Sequence, residues 1–283
     1  MIGPSSGKGR GPAEAQAFRE LVRTSRVLGG SSRDDALALA REAVADGLEV
    51  LVAVGGDGTV HLALQAVAGT STALAIIPTG TGNDFAHCLG VPTTGAAVAA
   101  AVLDGAPVPV DGVRVGDQWF GCILGTGFDA AVNERANRMT WPRGRRRYDL
   151  ATLLELRTFR PQPVVLTLDG QRLERTVMLV ALGNARSYGG GMLMCPDADP
   201  TDGLLDVVIV STLTRRRLIT LFPRLFKGTH VGDGSVEVHR AREVVLEGGP
   251  LRAYADGEPF GRLPLTCTVV PGALSILGVQ LPA

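Results

Sequence analysis

Val50-Leu51-Val52-Ala53-Val54-Gly55-Gly56-Asp57-Gly58-Thr59-Val60-His61 is the stretch that decides the fold. Its first five residues form a continuous apolar, β-branched-rich run, the pattern of a strand buried on both faces. Three glycines around one aspartate then turn the chain tightly, and Thr59 to Val67 reads as a helix. The free N–H groups of such a turn and of the helix start make an anion site. A carboxylate at Asp57 does not suit a bare phosphate cradle. It suits a site where Mg²⁺ or a ribose hydroxyl lies between it and the phosphates. The plainer alternative is a strand-to-helix turn with Asp57 as N-cap.

The pattern repeats on both sides of this stretch. Upstream, Ala13 to Val22 reads as a helix, and Ser32 is placed to cap a second one through Leu37, Ala40 and Val44, which Gly47 stops. Downstream come a strand at Ala73 to Ile77, a short helix at Asn83 to Leu89 and an Ala-rich helix at Thr94 to Leu103. Helices and strands alternating at this pace predict a parallel α/β sheet. After Val110 the texture changes. Phe120 to Leu124, Val164 to Leu168, Thr176 to Leu182, Leu205 to Val210, Val236 to His239, Val244 to Leu246, Leu251 to Ala255 and Cys267 to Val270 read as strands. Helical stretches interrupt them at Ala130 to Asn137, Tyr148 to Thr158 and Arg215 to Phe226. We therefore expect an α/β unit over 1–111 and a β-rich unit over 112–283, whose last strands can return to the first.

Composition narrows the function. In 283 residues, Lys plus Arg and Asp plus Glu number 28 each, so binding to nucleic acid through bulk charge is disfavoured. Cys88, Cys122, Cys195 and Cys267 are far apart and form no CxxC pair, which speaks against a zinc site or a disulfide framework and fits a reducing cytoplasm. No apolar run reaches the ~18–20 residues of a membrane span, and no signal peptide is expected.

A second loop has the same design. Ile77-Pro78-Thr79-Gly80-Thr81-Gly82-Asn83-Asp84-Phe85-Ala86 also leaves a strand and opens a helix. Thr81 and the glycine amides suit phosphate oxygens, and Asp84 suits a metal-bound water. Two such loops after adjacent parallel strands lie together at the carboxyl edge of the sheet, where open α/β folds bind ligands. Gly3-Pro4-Ser5-Ser6-Gly7-Lys8-Gly9 is not a Walker A loop, because its spacing is one short and Gly9 stands where Ser or Thr is needed.

With these two loops the chain resembles the soluble bacterial diacylglycerol kinases, which are related to sphingosine kinases and more distantly to NAD kinases. The glycine run of Gly55 to Thr59 is shared with NAD kinases. Gly80-Thr81-Gly82-Asn83-Asp84-Phe85-Ala86 is much more specific to the lipid kinases. Gly189-Gly190-Gly191, Pro196-Asp197-Ala198, Asp202-Gly203-Leu204-Leu205-Asp206-Val207 and Asp256-Gly257-Glu258 follow in the family's order. The resemblance implies an N-terminal nucleotide domain and a C-terminal β-rich sandwich with the active site between them. It implies that Gly55, Gly56, Asp57, Gly58, Thr59, Val60 and His61 line the phosphates and ribose of ATP, with Thr81 touching nucleotide. It implies a Mg²⁺ held by the Asp202 carboxylate and the main-chain carbonyls of Asp199 and Leu204. Glu258 matches the general base, Asp57 stands with it at the catalytic centre, and Asp57, Asp84 and Asp111 match an acidic network around it.

The family begins with an apolar strand that ends in an Asn-Pro-x-Ser-Gly nucleotide loop. Here Gly3, Pro4, Ser5, Ser6 and Gly7 stand in that loop, with Gly3 in the Asn position. Met1 and Ile2 are all that precede them, so a gap in the sheet is expected. Gly30-Ser31 stands where the family often has a Thr that approaches the base.

Two basic clusters bear on location. Arg143, Arg145, Arg146 and Arg147 flank Trp141 and Tyr148, and Arg215, Arg216 and Arg217 open a helix with Leu218, Ile219, Leu221 and Phe222. Arginine beside tryptophan or on an amphipathic helix suits an anionic leaflet; solvated surface is the plainer alternative. The expected protein is an ATP- and Mg²⁺-dependent lipid kinase, cytoplasmic and peripheral at the inner membrane face. It has a lipid substrate, no transmembrane segment and no nucleic-acid partner, and a homodimer is an assembly it allows. A kinase for a soluble alcohol (NAD or a polyol) and a catalytically silent homologue are the rival readings.

Overall fold

The computed structural model describes residues 10–142 and 145–281. Gly3, Pro4, Ser5, Ser6, Gly7 and Arg143, all singled out above, lie outside the described residues, and so does the start of the chain on which the expected gap depends. The first half runs α1 (Arg10–Leu21), α2 (Arg33–Ala45), β1 (Val50–Gly55), α3 (Asp57–Val67), β2 (Ala73–Pro78), α4 (Asp84–Cys88) and α5 (Gly95–Asp104). Ser32 caps α2 by accepting from the Asp35 N–H, as its type and place predict.

β1 and β2 pair in parallel, Val50 opposite Ala73 through Gly55 opposite Pro78. Every residue of β2 is buried. Its Ala73, Ala75 and Ile77 pack with Phe18 of α1 and Val98 of α5. Leu74 and Ile76 face the other way, into a core with Val60 and Leu64 of α3. Helices on both faces are why these strands read as unbroken apolar runs. Leu74, Ile76 and Ile77 are at most 1% exposed, and burying each contributes ~1.5–3 kcal/mol.

The second half contributes β3 (Val108–Val115), β4 (Gln118–Phe120), β5 (Ile123–Gly127), α6 (Phe128–Arg138), α7 (Arg145–Thr158), β6 (Gln162–Leu168), β7 (Gln171–Gly183), β8 (Leu205–Ser211), α8 (Arg215–Leu225), β9 (Val236–Ala241), β10 (Glu243–Gly248), β11 (Arg252–Ala255), β12 (Glu258–Arg262) and β13 (Leu265–Ile276). The strand path among described residues is β1-β2-β13-β10-β6-β7-β5-β11-β12, with β3 and β4 branching from β13 and β8 and β9 from β7. Alternate residues such as Leu124, Leu166, Leu182, Val207 and Leu246 build the core of this half.

β13 joins the two halves. Its Thr268 to Val270 pair antiparallel with β3, the register shifts between Val270 and Leu274, and Ser275 and Ile276 then pair in parallel with β2. The strand expected over Cys267 to Val270 runs on to Ile276, and Gly272, with φ +62°, sits where the register shifts. β3 was not recognised, since Pro109, Asp111 and Gly112 are poor strand formers. The strand expected over Phe120 to Leu124 is two strands. It breaks where the N–H groups of Gly121 and Cys122 leave the ladder and donate to the Asp256 carboxylate, at 2.8 and 2.9 Å.

Candidate active site

α3 starts at Asp57, two residues before the expected Thr59, and Gly56 is its N-cap with no side-chain cap bond. Asp57 is therefore free of capping. Its Oδ2 accepts from the Asn83 N–H at 2.9 Å and its Oδ1 from the Asp84 N–H at 2.7 Å. One carboxylate thus ties the first glycine loop to the second. Asn83 occupies the left-handed region, φ +56°, where asparagine is tolerated better than most residues. Its side chain accepts from the Gly80 N–H and donates to the Gly80 carbonyl, at 3.0 and 2.9 Å. The loops touch backbone to backbone: a Cβ on Gly80 would meet the Cα of Gly56 at 2.5 Å.

Asp84 carries the same device onward. Its carboxylate accepts from the N–H groups of Gly189 and Gly190, at 2.7 and 3.0 Å. Burial, and then the neighbouring Asp57, raise its carboxyl above the usual range, while those two N–H groups pull it down. The triple glycine, which local sequence would leave as a plain loop, is thus fastened to the second nucleotide-type loop. Asp111 is buried and braces two turns, accepting from Gly203 N–H at 2.7 Å and Gly272 N–H at 2.8 Å. Asp84 and Asp111 both serve here as clamps on backbone N–H groups.

Glu258 begins β12, straight after a two-residue turn in which Asp256 and Gly257 have φ of +53° and +81°. Two consecutive positive φ values are the mark of the tight hairpin that Asp-Gly favours. The turn delivers Glu258 to the start of α3: a Cβ on Gly58 would lie 3.2 Å from Glu258 Oε1. Glu258 pairs there with Arg33, Nη1 to Oε1 2.7 Å. Glu258 and Arg33 therefore meet Gly58 in the first turn of α3, and Asp57 of the same turn holds the backbone of Asn83 and Asp84. Val60 and His61 are buried. His61 stacks edge-on against Phe260 and its Nδ1 is 3.8 Å from Asp256 Oδ2, so its ring faces the protein. Thr81 is exposed beside the loop. Sequence reading gave no role to Arg33 or to the Asp256 side chain. The partner of each is more than a hundred residues away, and no local signal marks either.

The expected metal residues form a separate turn. Asp202 Oδ1 accepts from the Leu204 N–H at 2.9 Å, and Asp202 Oδ2 pairs with Arg240. Asp199 Oδ1 accepts from Thr201 N–H and hydroxyl. Among the described residues no group of three His, Cys, Asp or Glu side chains gathers for a metal. The Asp202 carboxylate is shared with the Arg240 guanidinium, and the expected set of one carboxylate and two main-chain carbonyls would hold a Mg²⁺ only beside that pair.

Two glycine loops at the ends of adjacent parallel strands, joined to a β-rich half that delivers a carboxylate to them, describe a kinase-like α/β protein. Residues 1–115 match the diacylglycerol kinase catalytic domain, and residues 122–278 match the YegS C-terminal NAD kinase beta sandwich-like domain. A diacylglycerol kinase of Mycobacterium tuberculosis is 45% identical over 258 residues, covering 89% of this chain and 83% of that protein. A YegS-like lipid kinase of Pseudomonas putida is 36% identical over 253 residues, covering 88% and 82%. The crystal structure of a diacylglycerol kinase from Bacillus anthracis has the same fold, with a TM-score of 0.74 at 22% identity over 99% of this chain and 95% of that one. The chain belongs to the diacylglycerol kinase and YegS-like lipid kinase family.

Proposed function

We propose that this protein transfers the γ-phosphate of ATP to a lipid hydroxyl, with diacylglycerol the leading acceptor. The observation that carries the reading is the meeting of Glu258 with the first turn of α3, 3.2 Å from the Cβ position of Gly58. The names of the relatives in Mycobacterium tuberculosis and Pseudomonas putida support the substrate class. Nucleotide phosphates lie over Gly55 to Thr59, where a helix start favours anions, with Thr81 and the Gly3 to Gly7 loop completing that site. Val60 and His61 contribute backbone only. Glu258 takes the proton of the lipid hydroxyl as its oxygen bonds to the γ-phosphorus, and the bond from that phosphorus to the bridging oxygen breaks to release ADP. Asp57 and Asp84 hold the two loops in register for that transfer.

Mg²⁺ would neutralise phosphate charge. A further ion at the Asp202 carboxylate and the Asp199 and Leu204 carbonyls would share that carboxylate with Arg240. The chain divides, on this reading, into 1–111 and 112–283. No described helix is long and apolar enough to cross a membrane. Access to the lipid is through the membrane surface: Trp141, Leu153 and Ile219 are 76%, 65% and 58% exposed, and Arg146, Arg147 and Arg216 are close to them in sequence. Exposed apolar side chains with arginines suit an anionic leaflet.

Incubation with γ-labelled ATP and an emulsified lipid panel tests the reading. Label on diacylglycerol or another lipid hydroxyl is expected. Label on NAD or a polyol alone would support the soluble-alcohol kinase, and binding of nucleotide without transfer would support a silent homologue.

A further inference from the structure

Arg33 is the first residue of α2, set in place by a capping network on the residues around it. The Ser31 N–H and hydroxyl donate to Asp35 Oδ2, at 2.7 and 2.9 Å, and the Asp35 N–H donates to Ser32 Oγ at 3.1 Å. From there the Arg33 guanidinium reaches Glu258, 225 residues away in sequence. The same Nη1 lies 3.8 Å from the Cβ position of Gly58. Arginine, glutamate and the start of α3 thus meet at one point. Stability does not explain the meeting. The two side chains are 45% and 25% exposed, and an ion pair so solvated contributes only ~0–1 kcal/mol. Such a guanidinium leaves its partner readily when a stronger anion arrives. A polyphosphate at the helix start is that anion, since arginine binds phosphate through two parallel N–H bonds.

We propose that Arg33 is a phosphate-responsive positioning residue: it holds Glu258 while the nucleotide site is empty, then moves its guanidinium to the bound nucleotide's phosphates and releases Glu258 to the acceptor hydroxyl. The inference rests on the reading of Gly55 to Thr59 as the nucleotide site and of Glu258 as the base. The base is then available only after nucleotide has bound, which limits contact between an idle carboxylate and the lipid.

The test measures binding of a non-hydrolysable ATP analogue and steady-state kinetics in the parent, Arg33→Ala, Arg33→Lys, Glu258→Gln and the double variant. Losing a charged hydrogen-bond partner of phosphate should weaken analogue binding and raise KM for ATP by about 10–100-fold in Arg33→Ala. KM for the lipid should stay within threefold, and Arg33→Lys, which keeps the charge but loses the fork, should fall between. Glu258→Gln frees Arg33 from competition and should tighten analogue binding about two- to fivefold. Adding Arg33→Ala should abolish that gain, a result no merely structural role for Arg33 produces. Parent turnover with analogue affinity unchanged in Arg33→Ala would overturn the proposal while leaving the kinase reading intact. A parent that binds no analogue would overturn both.

Discussion

Asp57 shows how one side chain can hold a site together. In the structure each of its oxygens accepts an N–H of the second loop. Asp57→Asn places an amide NH₂ against one of those N–H groups and leaves it without a partner, which costs ~1–3 kcal/mol. The variant should therefore melt several degrees below the parent as well as losing ~10²–10³ in kcat. Thermal melts beside kinetics check this, and a variant with parental melting and parental turnover would remove Asp57 from both roles. Its place in the glycine motif was legible from type and spacing. Its partners were not, because a hydrogen bond between residues 26 and 27 positions apart leaves no mark in either segment.

At the scale of elements, carboxylates on backbone N–H pairs are the recurring joint. Asp84 holds Gly189 and Gly190, Asp111 holds Gly203 and Gly272, and Asp256 holds Gly121 and Cys122. The turn at Asp202 is a variation, with Leu204 N–H and Arg240 as partners. Because these partners are protein groups, Asp202→Ala should lower the melting temperature even in excess chelator. An unchanged melt in chelator, with a Mg²⁺-dependent loss, would mean that a metal replaces Arg240 there. α6 offers a pH-dependent case. Burial pushes the Asp129 carboxyl up to about 6, well above the usual carboxylate range, against a hydrogen bond from Tyr188 that lowers it. A carboxyl raised in the fold disfavours the ionised form there, so stability is lost as pH rises from the unfolded value through about 6. Asp129→Asn removes that titration, so its melting temperature relative to the parent should climb between pH 4 and pH 7. The upper bound is about 3 kcal/mol, and a gap that is flat with pH would contradict the assignment.

On the scale of the whole molecule, the strand-loop-helix repeat of the first half was readable because period and apolar content agree over short spans. The same holds for the second half, where β8 is a continuous buried run from Leu205 to Val210 and β6 alternates through Val164, Leu166 and Leu168. The joins were less readable. β13 passes through a bulge to reach β2, β3 hides behind Pro109 and Gly112, and Glu258 reaches α3 only because the β11–β12 hairpin folds back over it. These are long-range pairings, set by topology and not by local propensity. They are also what makes the site, since its two loops come from one half and its carboxylate from the other.

The most direct measurement is therefore transfer of label from γ-labelled ATP to diacylglycerol in mixed micelles, comparing the parent with Glu258→Gln and following analogue binding in both. The parent should label the lipid. Glu258→Gln keeps size and hydrogen bonding but removes the base, and should lower kcat by roughly 10²–10⁴ with nucleotide affinity no weaker than the parent's. Turnover in Glu258→Gln within a few-fold of the parent would contradict the role of this carboxylate as the base that accepts the lipid proton.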